Sequence, residues 1–164
     1  MIIGHGDIAS VLKDREDRLY FASGVSNSQE ERESEYDREV LLLLEQDPMR
    51  HIVYFSSLSI FYSDSRYALH KRYMEHLVKK NFARWTIIRL GNITWGVNPH
   101  TIINAFKEQI KRGEIPVVRD VYRYVLEKDE FLHWVSMIPS WSCELSITGR
   151  MMKVKQILEE FVYG

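Results

Sequence analysis

The stretch HIVYFSSLSIFYSDSRYALHK, residues 51–71, joins an unbroken apolar run that ends in two serines to a helical pattern. The apolar run predicts a strand buried on both faces, as in a parallel sheet. The segment after it predicts a helix on which Tyr67 and Lys71, four residues apart, lie on one face. A strand that leads directly into a helix predicts the repeating unit of an α/β fold.

Short apolar runs and longer helical patterns alternate on both sides of this stretch. Strands are predicted at residues 1–4 (MIIG), 18–24, 51–57, 84–92, 115–118 (IPVV) and 143–148. Helices are predicted at residues 7–14, 26–48, 65–81, 98–113, 127–138 and 152–162. We therefore expect an α/β domain with a mostly parallel sheet.

Length and composition indicate one soluble globular domain, residues 1–164, with a core at 1–98 and a smaller C-terminal part at 99–164. The net charge of -1, with charges of both signs interspersed, does not predict binding to nucleic acid or to an anionic membrane. One cysteine, no bilayer-length apolar run and no basic start of a signal peptide favour a cytoplasmic location. No histidine pair has metal-ligand spacing, so no metal site is expected.

The N-terminal stretch IIGHGDIA, residues 2–9, places Gly4, Gly6 and Ala9 in the pattern G-x-G-x-x-G/A between a strand and a helix. Such glycines allow a tight turn and a close approach of the backbone to a pyrophosphate. A tight strand-helix turn that binds nothing also explains the pattern. Asp7 counts against a phosphate here, because a carboxylate at the helix start competes with the anion as a cap.

The serines that end the strand at 51–57 and the pair Tyr67 and Lys71 form a candidate catalytic set. A nearby ammonium favours the phenolate and lowers a tyrosine's pKa, and a serine hydroxyl can donate to a substrate oxygen. Alternatively, Ser57 is a turn residue, Tyr67 a half-buried anchor and Lys71 a surface charge. Tyr124 and Lys128 repeat the spacing without a preceding serine-ended strand, so we interpret that match as accidental.

At these residues the chain resembles the short-chain dehydrogenase/reductase superfamily, in particular its extended branch of NAD-dependent epimerases and dehydratases. The resemblance implies a Rossmann-like sheet with helices on both faces, and NAD or NADP as cofactor. It makes Ser57, Tyr67 and Lys71 the catalytic residues. The cofactor contacts that it implies are Gly4, Gly6, Asp7, Ile8, Ala22, Ser23, Gly24 and Lys71. The substrate contacts that it implies are Ser57, Ser59, Asn92 and Arg123.

Further segments resemble the same family in the same order. RLGNITWG, residues 89–96, is similar to its R-x-x-N-x-x-G motif, which makes Arg89 a structural anchor and Asn92 a substrate contact. RYVLEKDEF, residues 123–131, resembles its Arg followed by an Asp-Asp-Val element, matched by Arg123, Asp129 and Glu130. Members commonly dimerise through the helix of the tyrosine and lysine, so a homodimer is expected, with Leu69, Tyr73 and Leu77 as interface or core residues.

The chain departs from the family between its first helix and RLYFASG, where KDREDR, residues 13–18, replaces two strands and a helix. Those strands carry the adenosine side of the cofactor site, including the acid that holds the ribose. We therefore expect a sheet reduced on that side, with MIIG at or near its edge.

Two functions remain open from the sequence. The first is an NAD(P)-dependent nucleotide-sugar epimerase, dehydratase or reductase, with a nucleotide sugar as substrate and a role in polysaccharide biosynthesis. The alternative is a catalytically impaired Rossmann-like binding or scaffold protein that lacks the adenosine half of the cofactor site.

Overall fold

The computed structural model describes the whole chain, residues 1–164. Its strands are β1 (Ile2–Ile3), β2 (Leu19–Phe21), β3 (His51–Ser57), β4 (Arg84–Leu90), β5 (Asn92–Ile93), β6 (Tyr122–Leu126), β7 (Cys143–Ile147) and β8 (Arg150–Lys153). Its helices are α1 (Asp7–Val11), α2 (Glu33–Leu44), α3 (Arg66–Asn81), α4 (Ile102–Lys111), α5 (Lys128–Ser136) and α6 (Val154–Phe161). A short 3-10 helix, Leu58–Phe61, follows β3.

The main sheet has the strand order β1-β2-β3-β4-β7, and every neighbouring pair in it is parallel. This arrangement confirms the predicted α/β fold with a mostly parallel sheet. It also confirms that MIIG forms an edge strand, because β1 pairs with β2 and with no other strand. Parallel strands put their carboxyl ends at one edge of the sheet, which is where ligands bind in open α/β folds.

Helices cover both faces of the main sheet. Alternate residues of β3 point to opposite faces, so their neighbours show which helices lie on each. Ile52 and Tyr54 pack with residues of α2 and α3, such as Met74, whereas Val53 packs with residues of α5 such as Phe131. The predicted helices on both faces are thereby confirmed, and β3 is buried almost throughout, as its apolar run predicts.

A second, three-stranded sheet was not predicted. It has the order β5-β6-β8, in which β6 runs parallel to β5 and antiparallel to β8. Helices α4 and α6 pack beside it through Ile103, Ile157 and their neighbours. This sheet interleaves with the main one, because β5 precedes residue 99 whereas β7, which follows it, extends the main sheet.

One predicted strand in the C-terminal part is wrong. Residues 115–118 (IPVV) form no strand, and Ile115 and Val117 are 91% and 83% exposed. Pro116 lacks the N–H that a ladder needs, and the strand forms later, at β6, where Val125 and Leu126 are buried. The last helix begins at Val154 rather than at residue 152, because β8 pairs with β6. None of the helices combines the length and apolar character that crossing a membrane requires.

Candidate functional site

The carboxyl ends of β1, β2, β3 and β4 border an open cleft of about 910 Å³. The predicted site residues that line it are Gly6, Asp7, Ile8, Ala22, Ser23, Gly24, Ser57, Ser59, Tyr67, Lys71, Asn92 and Arg123. Gly4 is the one predicted contact outside this lining. The topology thus brings together residues that lie far apart in the sequence.

The two glycines of the N-terminal turn have different structural roles. Gly4 has a φ of +116°, and a Cβ there would lie 2.4 Å from the carbonyl oxygen of Ala22 on the neighbouring chain segment. Gly4 therefore allows β1 and the end of β2 to approach each other behind the cleft. Gly6 precedes α1, and a Cβ there would meet no atom within 4 Å. Of the two, Gly6 alone leaves open space at the cleft.

Asp7 ties the N-terminal turn to the loop after β5. Its carboxylate accepts hydrogen bonds from the backbone N–H groups of Val97 and Asn98, both at 2.9 Å, and Trp95 Nε1 donates to its carbonyl oxygen at 3.0 Å. A Cβ on Gly96 would lie 2.0 Å from the Asp7 carboxyl carbon, so this loop approaches closely. Asp7 therefore binds the loop, and no side chain caps the start of α1.

The two serines that end β3 point to different surroundings. Ser56 is buried and its hydroxyl donates to Glu75 at 2.6 Å, whereas Ser57 Oγ accepts from the backbone N–H of Ser59 at 3.1 Å. The Ser57 hydroxyl proton remains available to a ligand in the cleft. Ser59 Oγ is buried without a partner, as a group awaiting a polar ligand would be. Arg89 binds Glu75 through two nitrogens, at 3.0 and 2.7 Å, which fits its predicted anchoring role.

Tyr67 and Lys71 lie on the first turns of α3, which Ser65 caps by accepting from the N–H of Ala68. The Lys71 ammonium lies 5.5 Å from the centre of the Tyr67 ring. The second Tyr-Lys match does not share a helix face, since Tyr124 is in β6 and Lys128 opens α5. The interpretation of that match as accidental is therefore confirmed.

Lys71 forms a buried ion pair that the sequence analysis missed. Its Nζ lies 3.1 Å from Glu39 Oε1, and Glu39 also accepts from Val25 N at 2.8 Å, Tyr54 OH at 2.6 Å and His70 Nε2 at 2.9 Å. Burial favours the neutral acid, but the Lys71 charge and these three hydrogen bonds outweigh it and hold the pKa of Glu39 well below its usual range. Burial and the Glu39 carboxylate raise the pKa of Tyr54 well above that of a free tyrosine.

Gly24, a predicted cofactor contact, leaves room for this ion pair. A Cβ there would lie 2.6 Å from Lys71 Nζ and 2.9 Å from Glu39 Oε1. The sequence carried a signal for the buried carboxylate, because Glu39 lies between Tyr36 and Leu43 at helical spacing, and all three are buried. A charged residue within a buried helical stripe indicates a partner in the core.

Arg38, which lines the cleft, is a second residue that the sequence analysis missed. Its Nη1 donates to the carbonyl oxygen and the hydroxyl of Ser23, at 3.0 and 3.2 Å, and its Nε donates to Glu35 at 3.2 Å. Position on α2 alone gave no signal for this contact, because the orientation of α2 against the end of β2 is set by tertiary packing.

The predicted substrate residues Asn92 and Arg123 lie on the opposite side of the cleft, on the second sheet. Asn92 Nδ2 donates to the Tyr124 carbonyl at 2.9 Å, and Arg123 Nη1 donates to that of Tyr122, also at 2.9 Å. Arg123 has no carboxylate partner. Two further residues matched to the same motif, Asp129 and Glu130, are exposed on the first turn of α5 and do not line the cleft.

Parallel strands, a glycine turn and a serine, tyrosine and lysine at the carboxyl edge define the class as a Rossmann-like α/β protein with a candidate site at that edge. The comparisons with known proteins agree on the fold. The enzyme WbmG of Bordetella bronchiseptica, solved with NAD, superposes with a TM-score of 0.66 at 14% identity over 87% of this chain. The UDP-glucose 4-epimerase of Thermotoga maritima, solved with UDP-glucose, superposes with a TM-score of 0.64 at 18% identity over 87% of this chain.

A dTDP-glucose 4,6-dehydratase from Bacillus anthracis, solved with NAD, gives a TM-score of 0.67 at 14% identity over 90% of this chain. The chain spans 54%, 59% and 56% of the lengths of these three structures, respectively. The neighbours confirm the predicted Rossmann-like fold in a form much shorter than theirs. No protein-family model matches the sequence, and no curated protein matches it.

Proposed function

We propose that the chain acts as an NAD(P)-dependent enzyme on a nucleotide sugar, with Ser57, Tyr67 and Lys71 as its catalytic residues. One observation carries the proposal: these three residues line a single cleft at the carboxyl edge of the sheet, together with the turn at Gly6. Structural neighbours solved with NAD and with UDP-glucose support the cofactor and the substrate class.

Each residue has a role that its surroundings permit. Tyr67 exchanges a proton with a sugar oxygen, and the Lys71 ammonium stabilises the charge that grows on the phenol oxygen as the proton leaves. Ser57 donates its free hydroxyl proton to the same sugar oxygen. The nicotinamide, when bound, accepts or supplies the hydride at the adjacent carbon. The cleft fits a cofactor at its glycine turn, because Gly6 leaves open space there, and Ser59 offers an unpartnered hydroxyl to the substrate.

The substrate is proposed to lie between the catalytic residues and the second sheet. Arg123 lacks a carboxylate partner, so its guanidinium can bind a phosphate of the nucleotide. Asn92 has its amide nitrogen bound to Tyr124 and keeps its oxygen for a sugar hydroxyl.

We further propose a homodimer that forms through α3. Leu69 and Tyr73 on that helix are 52% and 50% exposed, whereas Leu77 is buried and belongs to the core.

A second candidate function is a binding or scaffold protein with the same fold. The ion pair between Lys71 and Glu39 favours it, because a carboxylate at 3.1 Å offsets the charge that Lys71 would offer to Tyr67. In this function the cleft still binds a ligand but catalyses no hydride transfer.

Titration of NADH and NADPH against the wild type and Gly6→Asp separates the two functions. Trp95, bonded to Asp7, is a reporter of binding by its emission. Saturable binding in the wild type and its loss in Gly6→Asp are expected for the enzyme, whereas no saturable binding below millimolar concentration rejects it. If cofactor binds, Tyr67→Phe should abolish turnover and leave the affinity nearly intact.

A further inference from the structure

The strand order of the main sheet limits the size of the cofactor site. A doubly wound sheet consists of two mononucleotide-binding halves, and a dinucleotide binds across the crevice where the strand order reverses beside the first strand. Here β1 is the edge, and all other strands of the sheet lie on one side of it. The sheet therefore has no reversal point and contains one of the two halves.

The lining of the cleft has a gap at the place where a second half would contribute. Its residues run from Ile8 directly to Phe21, so the connection between α1 and β2 contributes no side chain to it. That connection ends at Arg18, which binds the carbonyl oxygens of Ile138 and Pro139 at 3.2 and 3.1 Å. Arg18 directly precedes the first residue of β2, so it lies at the amino end of the sheet, opposite the cleft.

Dinucleotide sites hold the adenosine ribose with an Asp or Glu about 20 residues after the glycines. In this chain no such acid is free. At that interval Glu30 bonds to Arg32 through both oxygens, which lowers its pKa to about 2, and it does not line the cleft. Asp7 and Glu35 are the carboxylates of the cleft. Asp7 is bound by the loop at Val97, and Glu35 is paired with Arg38.

In contrast to the adenosine half, the cleft has side chains that can bind one nucleotide. Arg38 leaves Nη2 without a hydrogen-bond partner beside the turn at Ser23, so it can bind one phosphate. Ser57 and Tyr67, where the proposed reaction takes place, line the same cleft.

We infer that the cleft binds the nicotinamide mononucleotide half of the cofactor and has no site for the adenosine half. The inference rests on the proposed function and narrows its ligand to a single nucleotide unit. Reduced nicotinamide mononucleotide then binds with the same affinity as NADH, within about 3-fold, because the adenosine adds no contact. Adenosine, which carries none of the groups of the mononucleotide half, does not compete at concentrations at which the mononucleotide saturates.

The test is a set of parallel titrations of the full chain with NADH, reduced nicotinamide mononucleotide and reduced nicotinamide riboside at one ionic strength. The riboside, which lacks the phosphate, should bind at least 10-fold more weakly than the mononucleotide. Arg38→Gln should weaken NADH and the mononucleotide by the same factor of 10 or more. Arg119→Gln, at an exposed site away from the cleft, should leave both affinities unchanged.

The outcomes distinguish this inference from the function on which it rests. NADH that binds 30-fold or more tightly than the mononucleotide overturns the inference and leaves the proposed enzyme intact. Binding of neither compound rejects the proposed function and the inference with it. Equal loss of affinity in Arg38→Gln and Arg119→Gln contradicts the assignment of the phosphate to Arg38.

Discussion

Replacement of Glu39 by glutamine tests the ion pair that holds Lys71 in the wall of the cleft. The substitution keeps the shape of the side chain and removes its charge, which leaves the Lys71 ammonium with neutral oxygens, such as the Tyr54 hydroxyl at 3.2 Å, and no counter-charge. Lys71 is 2% exposed and Glu39 is fully buried, so water replaces neither partner. Removal of one member of a buried pair costs about 3–5 kcal/mol, a large part of the stability of a domain of this size.

Urea unfolding followed by Trp emission measures this cost. The double variant Glu39→Gln/Lys71→Met should recover at least about 2 kcal/mol relative to the sum of the single variants, since it leaves no unpaired buried charge. Asp37→Asn, at an exposed site on the same helix, is the matched control and should stay within about 0.5 kcal/mol of the wild type. A loss below about 1 kcal/mol in Glu39→Gln, with an unchanged m value, would refute the reasoning.

Three further predictions concern stability, each measurable by urea unfolding. Gly4→Ala should cost at least about 2 kcal/mol of unfolding free energy, because Gly4 has a positive φ and an added Cβ would lie 2.4 Å from the Ala22 carbonyl oxygen. Gly6→Ala should cost under about 1 kcal/mol, because an added Cβ meets no atom within 4 Å. Similar costs for the two variants would contradict their different roles. Asp7→Asn should cost about 1–3 kcal/mol, since an amide accepts with one oxygen where the carboxylate uses two, and a neutral result would show that the loop is held otherwise. Burial, aided by the charge of Arg18, lowers the pKa of His51 to about 4. The unfolded chain therefore binds a proton between pH 6.5 and 4 that the folded protein does not, so stability should fall by up to about 3 kcal/mol as the pH drops through this window; an equal pH dependence in His51→Gln would contradict this cause.

The main sheet was predictable because its strands are short apolar runs whose partners follow from simple connection rules. The run at 51–57 pairs along its full length with β4, and the edge position of MIIG follows from the missing strands. The second sheet was not predictable, because IPVV is a continuous apolar run, whereas the segment at Tyr122–Leu126 buries only Val125 and Leu126 and has two exposed tyrosines. Pairing between β6 and β8 across the chain decided the outcome.

The sequence motifs predicted which residues line the cleft, but they did not predict the hydrogen bonds and ion pairs of those residues. Ser57, Tyr67 and Lys71 were placed by the order of strand and helix, which fixes the edge of the sheet to which they belong. The partner of Lys71 is Glu39, on a helix that precedes it by a strand, and no local spacing links the two. Contacts between helices on one face of a sheet depend on packing angles that a single sequence does not encode in its periodicity.

The most direct test of the proposed function is a single-turnover measurement of cofactor absorbance at about 340 nm, with bound cofactor and a panel that includes UDP-glucose and dTDP-glucose. Tyr67→Phe should slow hydride transfer by about 10²-fold or more, the usual contribution of a positioned acid/base. Tyr163→Phe, at an exposed tyrosine outside the cleft and outside α3, is its control and should transfer hydride at the wild-type rate. A Tyr67→Phe variant as fast as the wild type, or a saturated cofactor that reacts with no member of the panel, would contradict a catalytic site at Ser57, Tyr67 and Lys71.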